Sequence, residues 1–167
     1  AITDRCSLAC EGCRVSNTGR PDMSWSKVVD VLTVAFARGF RELYLSGGEP
    51  TLWREGNRTM EDIVIEARRL GFFHVHVYTN GLQGLDTSAD LVWVSMDGLP
   101  GTFERRRGPW FSEVEYAVRA GEHPRVALIY TIDRHTAPGI GPFLRWVRDT
   151  ALPVTGVMFY FHTPYYG

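Results

Sequence analysis

The sequence carries almost no net charge, no apolar stretch of membrane length and only three cysteines, and each shortage removes a class of function. With 18 Lys and Arg against 19 Asp and Glu the formal charge is -1, so no global positive field draws in nucleic acid. The only basic run, Arg105 to Arg107, is short and reads as a solvated face or loop. No apolar run reaches the roughly 20 residues that a spanning helix requires. The amino end also lacks the basic-then-apolar pattern of a secretory signal, so no membrane span and a cytoplasmic location are expected. Ala1 is not an initiator Met, and upstream residues are therefore expected to be missing. The three cysteines are odd in number and all fall between positions 6 and 13, which is useless for stapling 167 residues. They read as ligands kept free in a reducing compartment.

What is present is an alternation of short β-rich runs and amphipathic helical stretches, enough for one domain of ordinary size over residues 1–167. Ser24 can cap a helix whose apolar positions Val28, Leu32, Ala35 and Phe36 recur at helical spacing until Gly39. Leu43 to Leu45 reads as a strand running into Gly47 and Gly48. Thr59 and Asp62 form a weaker capping box for a second helix, with Ile63, Ala67 and Leu70 facing inward. Phe73, Val75 and Val77 alternate with His74, His76 and Tyr78 at the period of a strand. Leu91 to Ser95, Val126 to Ile132 and Val157 to Phe161 read as further strands. Ser112 with Glu115 predicts a capped helix ending near Gly121, and Phe143 to Val147 the body of another. With Ile2 to Arg5 as the first strand, the order predicts an α/β fold, an open partial (β/α)6 TIM-like barrel of parallel strands. The last helix is absent, so a downstream segment is expected after the sixth strand.

In parallel α/β architectures, ligands sit at the carboxyl ends of the strands. The unusual residues all fall there: Cys6 after the first strand, Gly47 to Pro50 after the second, Thr79 to Gly81 after the third. Ser95 to Gly98 follow the fourth, Thr131 to Arg134 the fifth and His162 the sixth. Cys6, Cys10 and Cys13 make a C-x3-C-x2-C loop that can place three thiolates around three irons of a cubane and leave the fourth iron open. Gly47 and Gly48 permit close backbone approach to a ligand. His74 and His76 share one strand face; burial or polar partners explain them more simply than a metal pair. Tyr130, Tyr165 and Tyr166 read first as aromatic packing.

The cysteine loop followed by Gly47-Gly48-Glu49-Pro50 and Ser95-Met96-Asp97-Gly98 resembles the radical S-adenosylmethionine superfamily, and the resemblance runs from Cys6 to the last strand. It implies a [4Fe-4S] cluster on Cys6, Cys10 and Cys13, whose open iron is chelated by the amino and carboxyl groups of S-adenosylmethionine. It implies that the backbone and acid of Gly47, Gly48, Glu49 and Pro50 receive the methionine amino end, and that Ser95 and Asp97 reach the ribose or methionyl portion. Thr79 and Asn80 look like the family's third-strand end. Thr131 and Arg134 stand where relatives contact the cosubstrate carboxylate, and His162 where some place a His beside the cosubstrate. Reductive cleavage would yield methionine and a 5'-deoxyadenosyl radical, with an external electron donor such as a flavodoxin or ferredoxin. One departure is Gly12, where many members carry an aromatic residue against adenine; the backbone near Phe161 is the expected substitute. The segment Asp97 to Phe111 resembles peptide-modifying members, whereas the form of the cysteine loop resembles lipid-tailoring ones, so the implied substrate is peptide or lipid-like. Two rival readings use the same thiolates: a zinc-binding structural or interaction domain, and an iron-sulfur sensor without turnover.

Overall fold

The structure, a computed structural model, describes residues 1–162. In chain order the elements are α1 (Trp25–Ala37), β1 (Glu42–Leu45), β2 (Arg54–Glu55), β3 (Arg58–Thr59), α2 (Met60–Leu70), β4 (His74–Thr79) and β5 (Leu91–Ser95). They continue with α3 (Pro100–Arg107), α4 (Phe111–Ala120), β6 (Val126–Ile132), α5 (Ile140–Asp149) and β7 (Val157–Phe161). One sheet has the order β1-β4-β5-β6-β7 with every neighbouring pair parallel, and it curls into a half-barrel. The open TIM-like architecture expected from the sequence is therefore present.

Its first unit differs. Ile2 to Arg5 does not pair along β1 but runs beside the loop that follows it, leaving one parallel bridge between Thr3 and Gly47. The Ile2 N–H donates to Ser46 O at 2.9 Å, Gly48 N–H to Thr3 O at 2.9 Å and Glu49 N–H to Arg5 O at 2.7 Å. Only glycines tolerate this approach: a Cβ on Gly47 would lie 2.1 Å from the Thr3 carbonyl oxygen, and one on Gly48 2.4 Å from those of Asp4 and Arg5. The amino-terminal strand is thereby traded for a docked segment that delivers Cys6 to the end of the sheet.

The helices start where the local chemistry allows. Ser24 caps α1 through the Lys27 N–H, and Thr59 with Asp62 closes a full capping box on α2. The box expected from Ser112 and Glu115 does not form. Instead α4 begins two residues earlier, with Trp110 at the N-cap, because Phe111 is drawn into the core, 5.7 Å from Phe103 and 5.5 Å from Trp146. Glu115 pairs with Arg119 one turn on at 2.8 Å. The basic run is also not a loop, since Arg105 to Arg107 form the last turn of α3.

Strand periodicity divides the sheet into two faces. Val75, Val77, Val92, Val94, Val126 and Leu128 point to the helices. Two apolar clusters form there, one with α1 and α2, the other with α3, α4 and α5. The opposite face presents Tyr44, His76, Tyr78 and Trp93, with Ser95 and Thr131 at its upper rim. His74 and His76 thus find polar partners on the open face, not burial under helices: His74 Nδ1 lies 3.6 Å from Glu42, and His76 Nδ1 accepts the Trp93 indole N–H at 3.0 Å. Among the described residues no helix is long and apolar enough to cross a membrane.

Candidate functional site

A cavity of about 310 Å³ opens at the carboxyl ends of the strands, and Cys6, Cys10 and Cys13 form one wall of it. The loop bearing them is tied at several points. Cys13 N–H donates to Cys10 O at 3.1 Å and Glu11 N–H to Arg106 O at 2.8 Å. Asn17 receives the Cys6 N–H and donates to Leu8 O, closing the loop on itself. Leu8 is buried beneath it. All three thiols are free. Among the described residues no group of His, Cys, Asp and Glu gathers tightly enough to chelate a single ion. The three thiols share one cavity.

Their environments differ. Burial, aided by the negative charge of Glu49, pushes the Cys6 thiol up, and burial pushes Cys10 up despite the nearby Arg107 guanidinium. At Cys13 burial also acts upward, but the Ser16 hydroxyl at 3.1 Å and neighbouring backbone donors outweigh it and hold the thiol below its ordinary value. Both half-buried sulfurs have donors at hand: Leu8 N–H at 3.4 Å and Asn80 Nδ2 at 3.8 Å from Cys6 Sγ, Arg107 Nη1 at 3.8 Å from Cys10 Sγ. Hydrogen bonds to sulfur are one of the few levers a protein has on an iron-sulfur centre. The residues present therefore fit a three-thiolate cluster.

Of the residues singled out in the sequence, Gly47, Gly48, Thr79, Asn80, Ser95, Thr131 and His162 line the same cavity as the cysteines. Glu49 and Pro50 lie behind it. The Glu49 carboxylate is fully buried and accepts four hydrogen bonds: the Thr51 N–H and hydroxyl, the Thr79 hydroxyl at 2.8 Å and the Asn80 N–H at 2.7 Å. It thus bolts the glycine pair to the end of β4. Asn80 in turn donates to Ser7 Oγ at 3.2 Å. Asp97, expected to meet ribose hydroxyls, is fully buried beneath the cavity, with its oxygens taken by the Thr131 N–H at 2.6 Å, Arg107 Nε at 2.6 Å and Arg106 Nε at 3.2 Å. In this arrangement it is a counter-ion under the floor. Arg134 is exposed, donates to His135 Nε2 at 2.9 Å and does not reach the cavity. The Asp133 carboxylate turns inward beside it and pairs with Arg106.

Arg106 and Arg107 line the cavity together with Arg14, and both are nearly buried, so the solvated reading of the run Arg105 to Arg107 is corrected for these two. Burial alone would lower the pKa of Arg107, but Asp97 and the Cys10 sulfur more than offset it and raise it above the ordinary value. Tyr78 and Tyr160 are further lining residues that sequence reasoning missed. Gly12 sits at φ 75°, and a Cβ there would meet the His162 ring at 3.3 Å, so the imidazole occupies the space over the cysteine loop. Tyr130 is buried and donates to Thr136 O at 2.6 Å, a packing role. Tyr165 and Tyr166 lie outside the described residues.

Residues 1–98 match the family model of the Radical SAM superfamily. A probable GTP 3',8-cyclase of Sulfolobus acidocaldarius is 28% identical over 164 residues, covering 89% of this chain and 51% of the relative. One from Methanothermobacter marburgensis is 31% identical over 139 residues, with 74% and 44% covered. The chain spans about half the length of the curated relatives it matches. Among solved structures, native anSMEcpe with bound AdoMet and Cp18Cys peptide superposes with a TM-score of 0.73 at 18% identity, over 99% of this chain and 52% of that one. Streptococcus suis SuiB bound to S-adenosylmethionine gives 0.71 at 16% identity, over 99% and 40%. At such identities the structural likeness is one of fold.

Proposed function

Because the chain belongs to the radical SAM superfamily, we propose that it cleaves S-adenosylmethionine at a [4Fe-4S] cluster held by Cys6, Cys10 and Cys13 and turns the resulting radical on an organic substrate. When bound, the cluster would supply an electron to the sulfonium, giving methionine and the 5'-deoxyadenosyl radical, with a flavodoxin or ferredoxin as the external donor.

The observation that carries this reading is the convergence of three free thiols, two glycines with bare backbone and a set of polar strand ends on one cavity. The chain's own contribution is position and electrostatics. Gly47 and Gly48 expose backbone for the amino-acid end of the cosubstrate, and Glu49 fixes that backbone by its bonds to Thr79 and Asn80. Ser95, Thr131, Asn80 and Thr79 offer hydroxyl and amide groups along the rim, and His162 covers the loop at Gly12. Asp97 pairs with Arg106 and Arg107 and holds both at the cavity, where a carboxylate or a cluster of net negative charge finds compensation. The half-buried enclosure limits water around a reactive radical.

A tetrahedral zinc would use the three thiols but leave Gly47, Gly48 and the polar strand ends that line the same cavity without a role. For the substrate, peptide or lipid-like molecules remain the classes read from the sequence. A nucleotide joins them through the name the curated relatives carry. Free thiols and the absence of any membrane-length apolar helix among the described residues fit a reducing cytoplasm.

Anaerobic reconstitution tests the proposal. Uptake of iron and sulfide with a brown colour, and 5'-deoxyadenosine formed on reduction with S-adenosylmethionine, are expected. Ala at Cys6, Cys10 and Cys13 should abolish both. A colourless protein holding zinc would overturn the reading in favour of a structural domain, and a cluster without 5'-deoxyadenosine would leave a sensor.

A further inference from the structure

The open face of the half-barrel carries a ladder of redox-capable rings that the cleavage reaction does not use. Tyr78 on β4 lines the cavity beside the cysteines. Its ring stacks on that of its cross-strand partner Trp93 on β5, with centroids 6.1 Å apart and planes 13° from parallel. It also lies 6.0 Å from Tyr44 on β1. Trp93 is followed by His76 at 6.3 Å, and His76 by Tyr44 at 4.7 Å.

The hydrogen bonding along this ladder is directional. Tyr78 has a hydroxyl with no protein partner among the described residues, at the cavity end. Trp93 donates its indole N–H to His76 Nδ1 at 3.0 Å, and Tyr44 donates its hydroxyl to Glu42 Oε2 at 2.9 Å. Each ring behind Tyr78 therefore has a base on its own acidic hydrogen, the requirement for losing an electron and a proton together. Burial lowers the His76 pKa and so favours the neutral ring that can accept. Tyr44, which flanks Tyr78 and His76 from β1, is 47% exposed and open to solvent reductants.

We infer that Tyr78, Trp93 and Tyr44 form a discharge route for a carbon radical generated in the cavity when no substrate is present, with Tyr78 as its hydrogen donor. The inference rests on the proposed cleavage of S-adenosylmethionine. In the first step the Tyr78 O–H bond breaks homolytically and a C–H bond forms at the 5'-carbon, leaving a phenoxyl on Tyr78. An electron from Trp93 and a proton from cavity water restore Tyr78, while the indole proton passes to His76. Tyr44, on the other side of β4, then returns an electron to Trp93 across the His76 ring that touches both, Trp93 regains its proton from His76, and the Tyr44 proton passes to Glu42. A soluble thiol or the reducing donor already needed for cleavage supplies the final electron, and Glu42 returns the proton. The net change is one electron and one proton added to the carbon radical, with every protein group restored.

The test uses the anaerobically reconstituted protein with S-adenosylmethionine and reductant in deuterated water, without substrate. The 5'-deoxyadenosine formed should carry one solvent-derived deuterium, and in Tyr78→Phe that deuterium fraction should fall to background. Rapid freezing should trap a phenoxyl signal that narrows when the protein is grown on ring-deuterated tyrosine, a readout that needs no variant. In Trp93→Phe and Tyr44→Phe the signal should persist several-fold longer than in the unaltered protein. Deuterium retained undiminished in Tyr78→Phe, 5'-deoxyadenosine free of deuterium in the unaltered protein, or unchanged signal lifetimes in both other variants would each overturn the route. A complete lack of 5'-deoxyadenosine would instead refute the cleavage on which it rests.

Discussion

The two faces of the same five-stranded sheet are built from alternating residues of the same strands and have almost nothing else in common. Facing the helices, Val75, Val77, Val92, Val94 and Leu128 are sealed to near-zero exposure. Facing the other way, Tyr44, His76, Tyr78 and Trp93 carry polar handles and remain partly open. A period of two is enough to separate the side chains that hold the fold from those left free for chemistry. At the carboxyl ends of the strands polarity and burial part company: Glu49, Asp97 and Thr79 are polar, yet nearly as buried as the valines.

If this division is real, truncating the helix-covered side should cost the most stability. Phe143 is fully buried in the cluster of α3, α4 and α5, 5.0 Å from Tyr130 and 5.8 Å from Trp146. Phe143→Ala should lower unfolding stability by about 4 kcal/mol, measured by urea titration. A loss below about 1 kcal/mol would mean that this cluster is not the anchor its burial indicates. The strand-end network comes next. Glu49→Gln keeps the size of the side chain but turns an NH2 toward groups that are themselves donors, the Thr79 hydroxyl or the Asn80 N–H. The same titration should register a loss of about 2 kcal/mol, because a buried donor loses its acceptor. An unchanged stability would show that the carboxylate is not what ties the glycine pair to β4.

The elements that were readable in the sequence are those where one signal dominates locally. Strand alternation at Val75 and Val77, the caps at Ser24 and Thr59, and the spacing of Cys6, Cys10 and Cys13 each appear in the structure where the pattern put them. What escaped depends on distant partners. Arg106 and Arg107 look solvated in a run of three arginines, and only the buried Asp97 at the end of β5 gives them a reason to turn inward. The signal was an acid in a strand-end turn with a basic helix end about ten residues on, and it becomes legible once α3 is known to pack Phe103 against the core. The resemblance of Gly47 to Pro50 and Ser95 to Gly98 to the superfamily's motifs points Glu49 and Asp97 at a ligand. Their burial is decided by donors from other strands and helices, which no local pattern displays. Ile2 to Arg5 failed as a full strand for a similar reason, since the Gly47 and Gly48 backbone competes for its hydrogen bonds.

The open face should tolerate what the other does not. Trp93→Phe removes the indole N–H from His76 and keeps a ring for stacking, so stability should change by less than about 1 kcal/mol. Urea titration beside Phe143→Ala sharpens the contrast: a penalty comparable to that of Phe143→Ala would mean that the open face is itself part of the packed core.

The smallest effect belongs to the amino end of that face, where Asp90 receives the Val75 N–H at 2.7 Å and pairs with Arg68 at 3.1 Å. Burial alone would raise its pKa, but these donors more than compensate and hold the carboxyl below the usual carboxylate range. A carboxyl depressed on folding stabilises the protein at pH values above its unfolded pKa, near 4. That contribution is lost as the pH falls through the lower folded value. Asp90→Asn can still accept the Val75 N–H but no longer pairs with Arg68 as an ion, and it has no proton to gain. The variant should be slightly less stable than the unaltered protein at neutral pH, and the gap should narrow as the pH is taken below about 4. Urea titrations at pH 7 and at pH 3 decide the matter, because a gap that widens in acid would show that folding does not hold the Asp90 carboxyl below the usual range.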